Sequence, residues 1–342
     1  NPIIWSTLIM SLSISTIITM ASHHWMLAWL GLELNTLSIL PITMKLGHPR
    51  ATEATVKYFL IQTLAAALIL FASTMNAWQT GLWDITNSTQ TTIITMAILM
   101  KLGTAPVHLW YPEVLQGTTL TTALLISTWQ KLAPLSLLYM MHTNLPNNLL
   151  LLTGLLSTLL GGWAGLNQTQ SRKIMAHSSI AHMGWILIAL SMTPELTTLT
   201  LLTYMIMTTA MFSSLNTSTT KTITDMGTAW SSSPMTMTLT LLTLTSLGGL
   251  PPLTGFLPKL LILNELTMKS LLPMAMMLAL ASLPSLFFYI RMAYTTTLTT
   301  PPTTTNIEHK WRFKATPPPT YTATTATALL LMPLSPALHT TT

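Results

Sequence analysis

The sequence predicts an all-α polytopic membrane protein of about eleven transmembrane helices, with inverted repeats and two discontinuous helices in an antiporter-like arrangement. Three observations point there first. Only 6% of the 342 residues are charged, where a soluble domain carries about 25%. Hydrophobic residues make up 50% of the chain. They also gather into runs of about 20, the length needed to cross hydrocarbon. Much of the polar remainder is Thr and Ser, whose hydroxyls bond back to helix carbonyls.

Taken in order, the expected spans lie near 3–21, 25–44, 54–76, 90–110, 118–141, 148–168, 173–192, 195–217, 235–263, 271–295 and 322–340. The first run has neither a basic leader nor a small-residue cleavage site, so it reads as a first membrane helix rather than a cleaved signal. The chain is expected to form one transmembrane domain over 1–342. Its repeat halves would run about 1–145 and 146–296, followed by an interfacial loop about 297–321 and the last helix. In that loop "NIEHKWRFK" reads as a positive-inside segment with Trp311 and Phe313 at headgroup depth, or as a lipid or partner contact. Trp5, Trp25, Trp78, Trp83, Trp110 and Trp230 fall near span ends, as aromatic belts do.

Basic residues test the count, because loops on the side of insertion collect them. With eleven spans, one side receives Lys45, Arg50, Lys57, Arg172, Lys173, Lys221, Arg291, Lys310, Arg312 and Lys314, and the other only Lys269. One span more or fewer in mid-chain would scramble that division. The N-terminus is therefore expected on the basic side and the C-terminus opposite. The same asymmetry accounts for the net charge of +6. No nucleic-acid partner is implied, since the basic residues form no stripe interleaved with aromatics. With no cysteine, the chain alone can hold no disulfide, thiolate zinc site or iron–sulfur cluster. No pair of histidines has a convincing metal-ligand context.

Of fourteen basic residues, three remain inside spans: Lys101, Lys131 and Lys259. Among the eight acids only Glu33, in "WLGLELNTLSIL", is near mid-span. A charge at the bilayer centre costs about 3 kcal/mol, so four place about 10 kcal/mol against insertion unless paired, hydrated or neutral. An internal ion pair that glues helices would account for them structurally. A proton relay accounts for them functionally, because a lysine in a low-dielectric site with a movable carboxylate exchanges protons readily. Glu33 and Lys101 have the right signs for such a pair.

Each lysine lies beside a helix breaker. Lys131 is followed by Pro134, which leaves the carbonyl near Gln130 without its partner. Lys101 opens "KLGTAPVHLWYPE", and Lys259 closes "LGGLPPLTGFLPK". These two stretches share a Leu-Gly start, a Pro, an aromatic and a closing Pro before a charge. They occupy the fourth and ninth spans, an odd offset, so the two units cross the membrane in opposite directions. Inverted repeats with interrupted helices at matching positions are a transporter signature. Broken backbone at that depth survives only where protein or a water-filled cavity satisfies it.

"GLELNTLSILPI", "RATEATVKYFLIQ", "MKLGTAPVHLWYPEVLQG", "TWQKLAPL", "GGWAGLNQTQSRKIMAHSSIAHMGW" and "SLGGLPPLTGFLPKL" resemble the signature stretches of the mitochondrial NADH–ubiquinone oxidoreductase chain 2 family. Those proteins are antiporter-like membrane-arm subunits of respiratory complex I. The resemblance runs over essentially the whole chain and implies the shortened animal form of about eleven spans. It implies that Glu33 is the acid modulating the first channel lysine, Lys101, that Lys131 is the central relay lysine, and that Lys259 lies on the second discontinuous helix. It further implies that NADH, FMN, iron–sulfur clusters and ubiquinone belong to other subunits, with no cofactor in this chain. Other membrane-arm and accessory subunits and the lipid bilayer, cardiolipin included, are the implied partners. The implied location is the mitochondrial inner membrane, with the N-terminus on the matrix side and the C-terminus on the intermembrane-space side.

His108 and His182 are candidate extensions of the relay, each set against the plainer reading of a satisfied core histidine. His177 stands where the family is expected to show tyrosine. His23, His24, His142, His309 and His339 fall in loops or at span ends. Glu113 reads as an entry-side group or as an interfacial acid. The rival functions are a free-standing cation/proton antiporter, which would want more than one mid-membrane carboxylate, and a structural membrane anchor whose buried charges only fix packing.

Overall fold

The computed structural model describes residues 2–44, 47–85, 90–297 and 319–330. Among these residues the only extended pairing is two isolated bridges, His24 with Asp84 and Gln170 with Thr222; the rest is helix and turn. The chain divides into two compact units, Asn1–Leu156 and Ser157–Thr342.

The first unit holds α1 (Pro2–Ala21), α2 (Trp25–Met44), α3 (Pro49–Thr80), α4 (Thr91–Leu102), α5 (Trp110–Gly117), α6 (Leu120–Ser127) and α7 (Trp129–Met140). Helix α8 (Asn147–Gly165) leads into the second unit. There follow α9 (Ser171–Met192), α10 (Pro194–Ser218), α11 (Ile223–Ser232), α12 (Pro234–Gly248), α13 (Phe256–Met268), α14 (Leu272–Thr297) and α15 (Pro319–Leu330). Seven of these helices are each long and apolar enough to cross a membrane: α1, α2, α3, α8, α9, α10 and α14. Three further expected spans are interrupted: 90–110 holds α4 and the break that ends at α5, 118–141 holds α6 and α7, and 235–263 holds α12 and the start of α13.

Local chemistry explains these elements. The hydroxyls return to the backbone: Ser15 Oγ donates to the Leu12 carbonyl at 2.8 Å, and Thr19 Oγ1 to that of Thr16 at 2.7 Å. That pairing removes their polarity from hydrocarbon. Helix α3 starts where His48 Nδ1 accepts from the Arg50 N–H, and stops at Gly81, whose φ of +72° few other residues adopt. Helices α1 and α2 approach closely at Gly31, where a Cβ would come within 2.5 Å of Thr19 Cγ2. Small residues at such crossings are how membrane helices pack.

Two sequence expectations need correction. The 118–141 span bends at Thr128 (φ −113°, ψ −72°) rather than at Pro134, which sits inside α7. Trp25 and Trp110 are core residues, 0% and 6% exposed, not belt anchors. Trp110 meets Tyr58 and Tyr111 edge-on, at 5.8 and 5.5 Å; Trp78, by contrast, is exposed. The α11 helix was not expected; it fills the connection before α12. The last helix is described as far as Leu330, and its expected remainder to 340 lies outside the described residues, as do Lys45, the 298–318 segment with the "NIEHKWRFK" cluster, and His339.

Candidate functional site

The two Gly/Pro interruptions are built alike. In the first, Gly103 takes a φ of +71° and its N–H bonds the Met100 carbonyl, while the Thr104 N–H reaches Leu99. In the second, Gly249 takes a φ of +79°, its N–H bonds Ser246, and the Leu250 N–H reaches Thr245. Both are helix ends closed by a left-handed glycine with a six-residue return bond. The alignment this fixes is Gly103 with Gly249, one residue along from the Leu-Gly match in sequence. It also shows that the lysines lie on opposite sides of their breaks. Lys101 is in the last turn of α4, and Lys259 in the first turn of α13.

The two ammonium groups differ in how they meet the helix C-terminus at the break. Lys101 sits in the last turn of α4, whose Leu99, Met100 and Lys101 carbonyls accept from the Gly103 and Thr104 N–H groups and from Gln62. Lys259 reaches back across its break, and its Nζ donates to the Gly248 carbonyl at 2.9 Å. Gly249 makes that reach feasible: a Cβ there would lie 2.8 Å from Lys259 Nζ. Gly255 closes the same loop, since a Cβ there would stand 1.8 Å from the Ser246 carbonyl oxygen. Thr254 Oγ1 ties the loop to α15 through the Ala328 carbonyl, 2.5 Å away.

In the first unit a cavity of about 20 Å³ is lined by Lys101 and Lys131 with Asn35, Tyr58, Gln62 and Gln130 among the polar groups. That volume is enough for a water molecule. Lys101 is 6% exposed, and among the described residues its Nζ has no hydrogen-bond acceptor. Its carbonyl accepts from Gln62 Nε2 at 3.2 Å. Lys131 is buried in the first turn of α7, its Nζ 5.1 Å from the centroid of the Tyr111 ring, a cation–π arrangement. Glu33 is half-buried and accepts from Thr36 Oγ1 at 3.2 Å. No ion pair within 4 Å joins it to Lys101 among the described residues. Helices α2 and α4 are brought together through α3, which packs on both.

The second unit has a comparable cavity, also about 20 Å³, lined by Lys259, His182, Trp185, Thr200, Thr203 and Tyr204 among others. Lys259 Nζ stands 6.0 Å from the Trp185 ring centroid. His182 Nε2 is 3.4 Å from Tyr289 Oη. His108 is buried beside the first break with Nδ1 3.1 Å from the Pro106 carbonyl, and it does not line the Lys101 cavity. His177 is buried on α9, away from the Lys259 cavity, with its Cβ packed near Gly165. Glu113 bonds Lys57 Nζ at 2.7 Å, where Lys57 also meets Glu53; this exposed trio ties α5 to α3. Sequence reasoning missed Asn35, Tyr58, Gln62, Gln130, Tyr111 and Trp185. Their only sequence signal is amides and aromatics inside apolar runs.

Comparison with known proteins bears on the same residues. Residues 22–285 match the family described as NADH:quinone oxidoreductase/Mrp antiporter, TM, and residues 286–339 match NADH dehydrogenase subunit 2 C-terminus. The chain is 50% identical over 344 residues to NADH-ubiquinone oxidoreductase chain 2 of Tetraodon nigroviridis, covering 99% of each. To that of Xenopus laevis it is 51% identical, covering 98% of this chain and 99% of the relative. A chain in respiratory complex I from Thermus thermophilus superposes with a TM-score of 0.83 at 23% identity, covering 97% of this chain and 78% of that one. A chain of the Mrp complex from Dietzia sp. DQ12-45-1b gives 0.82 at 14% identity, covering 97% and 75%. At those identities the two structures speak to the fold alone.

Proposed function

The chain belongs to the NADH:quinone oxidoreductase/Mrp antiporter transmembrane family, among its NADH–ubiquinone oxidoreductase chain 2 members, and on that premise we propose that it is a proton-translocating membrane-arm subunit of respiratory complex I. Electron transfer takes place in other subunits, which hold NADH, FMN, the iron–sulfur clusters and ubiquinone. This chain couples that energy to proton movement from matrix to intermembrane space across the mitochondrial inner membrane, N-terminus in the matrix and C-terminus opposite. Its neighbours are other membrane-arm and accessory subunits and bilayer lipid, including cardiolipin.

The observation that carries the reading is that Lys101, Lys131 and Lys259 stand at interrupted helices beside cavities of water-sized volume. A charge change in a neighbouring subunit moves Glu33 relative to Lys101. That alters the electrostatic cost of an ammonium at Lys101, and the proton is held in turn at Lys131 and Lys259 before release. His108 and His182 are reserve positions for the proton along the way. The repeat halves of the sequence, about 1–145 and 146–296, each contribute one Gly/Pro-interrupted helix, and the first adds the bend before Lys131. Replacing Lys101 or Lys259 by Met in the assembled complex tests this, with Lys→Arg as the charge-retaining control. Protons moved per NADH oxidised should fall while the complex still assembles. Undiminished pumping in a fully assembled Met variant overturns the relay and leaves a structural anchor.

A further inference from the structure

Apart from the two lysines, every polar side chain lining the Lys101–Lys131 cavity is uncharged: Asn35, Thr36, Tyr58, Gln62 and Gln130, with the phenol of Tyr111 beneath Lys131. Three of them form a chain. Tyr58 Oη donates to Gln130 Oε1 at 3.4 Å, and Gln130 Nε2 donates to Asn35 Oδ1 at 3.0 Å. Asn35 rides on α2, two residues after Glu33; Tyr58 is on α3, one turn before the Gln62 that holds the Lys101 carbonyl. Gln130 immediately precedes Lys131 in the first turn of α7.

The helix restarts after the bend at Thr128, and no side chain caps its start. The turn keeps a local bond, from the Lys131 N–H to the Thr128 carbonyl at 3.2 Å, and Gln130 adds the side-chain tie from that turn to α2 and α3. Amides suit the task at membrane depth. They supply donors and acceptors that hydrocarbon cannot replace, and they carry no charge to compete for the lysine's proton. Asn35 and Tyr58 are 3% and 2% exposed, so breaking the chain strands buried polar atoms.

Resting on the relay reading above, we infer that Gln130 is a positioning residue: bridged between Asn35 and Tyr58, it fixes Lys131 against the helix that carries Glu33. The test exchanges the lengths of the two amides in the assembled complex and measures protons moved per NADH oxidised. Gln130→Asn shortens the bridge by one methylene and lowers that ratio, because a misplacement near 1 Å slows a positioned transfer by about 100-fold. Adding Asn35→Gln restores the total length and returns the ratio towards that of the unaltered complex. A Gln130→Asn complex that pumps normally overturns the inference. So does a swapped double variant that pumps no better than the single one, or that fails to assemble. If Gln130→Asn itself assembles poorly, the ratio in the swapped variant decides alone. Lys131→Met is measured alongside: normal pumping there withdraws the relay itself, whereas loss there beside a normal Gln130→Asn overturns only the role of Gln130.

Discussion

Whether the Lys259 ammonium can reach the Gly248 carbonyl is decided by a single hydrogen atom at Gly249. Its φ of +79° costs any other residue about 1–2 kcal/mol, and a Cβ would crowd Lys259 Nζ at 2.8 Å. Gly249→Ala is therefore expected to destabilise by about 1–2 kcal/mol and to push Lys259 off the Gly248 carbonyl. Thermal stability and proton pumping of the assembled variant should fall together; a variant that pumps as the unaltered complex does would show that the Lys259–Gly248 bond is dispensable. Gly103 has the same backbone, but the nearest atoms to a Cβ there are ring and Cβ atoms of Trp110 and Tyr111 at 3.2–3.3 Å, and its lysine precedes the break instead of following it. The two glycines are alike as backbone and different as gatekeepers of a charge.

At the scale of elements, α11 shows how a helix too short to cross a membrane is held. Thr222 and Asp225 form a capping box: the Asp225 N–H donates to Thr222 Oγ1 at 3.2 Å, and the Thr222 N–H donates to Asp225 Oδ2 at 2.9 Å. Burial alone would push the Asp225 carboxyl up. Hydrogen bonds from the Thr222 hydroxyl and the Thr222 and Lys221 N–H groups, with the Lys221 charge, outweigh it and hold the carboxyl below its ordinary 3.8. A carboxyl lowered in the folded state stabilises fully above its unfolded value and loses that contribution as pH falls through the lowered one. Asp225→Ala should cost about 0.5 kcal/mol, the lower end for a cap because the side chain is exposed. Amide exchange across Met226–Ala229 should quicken in the variant at neutral pH, and in the unaltered chain only in strong acid. Equal exchange in both at neutral pH would remove the cap's role. The signal was present in sequence as Thr-x-x-Asp, but the segment lacks the length that marks a span, so it read as a connection.

For the whole molecule, legibility follows the range of the interaction. The apolar runs, the breakers and the stray charges are local, and the all-α membrane fold with interrupted helices follows from them. Charge asymmetry adds an orientation that can be measured: Lys221 and Lys269 flank α12 and α13 and are both exposed. A membrane-impermeant amine reagent should reach Lys221 from the matrix side and Lys269 from the other, as read by mass spectrometry of mitoplasts and inverted vesicles. Labelling of both from one side would break the span count.

By itself the sequence determined the apolar runs long enough to cross hydrocarbon, the two Gly/Pro breaks, and that Lys101, Lys131, Lys259 and Glu33 are charges within those runs. Those features depend on residues within a turn or two of one another. Only the tertiary structure decided what each charge faces. It gave Lys259 the Gly248 carbonyl and the Trp185 ring, gave Lys131 the Tyr111 ring, and left Glu33 turned to Thr36 instead of in contact with Lys101. Gln130 and Asn35 meet across 95 residues. Helix periodicity places each on a face, but the neighbour that face meets is set by packing between helices, which no local stretch of sequence contains.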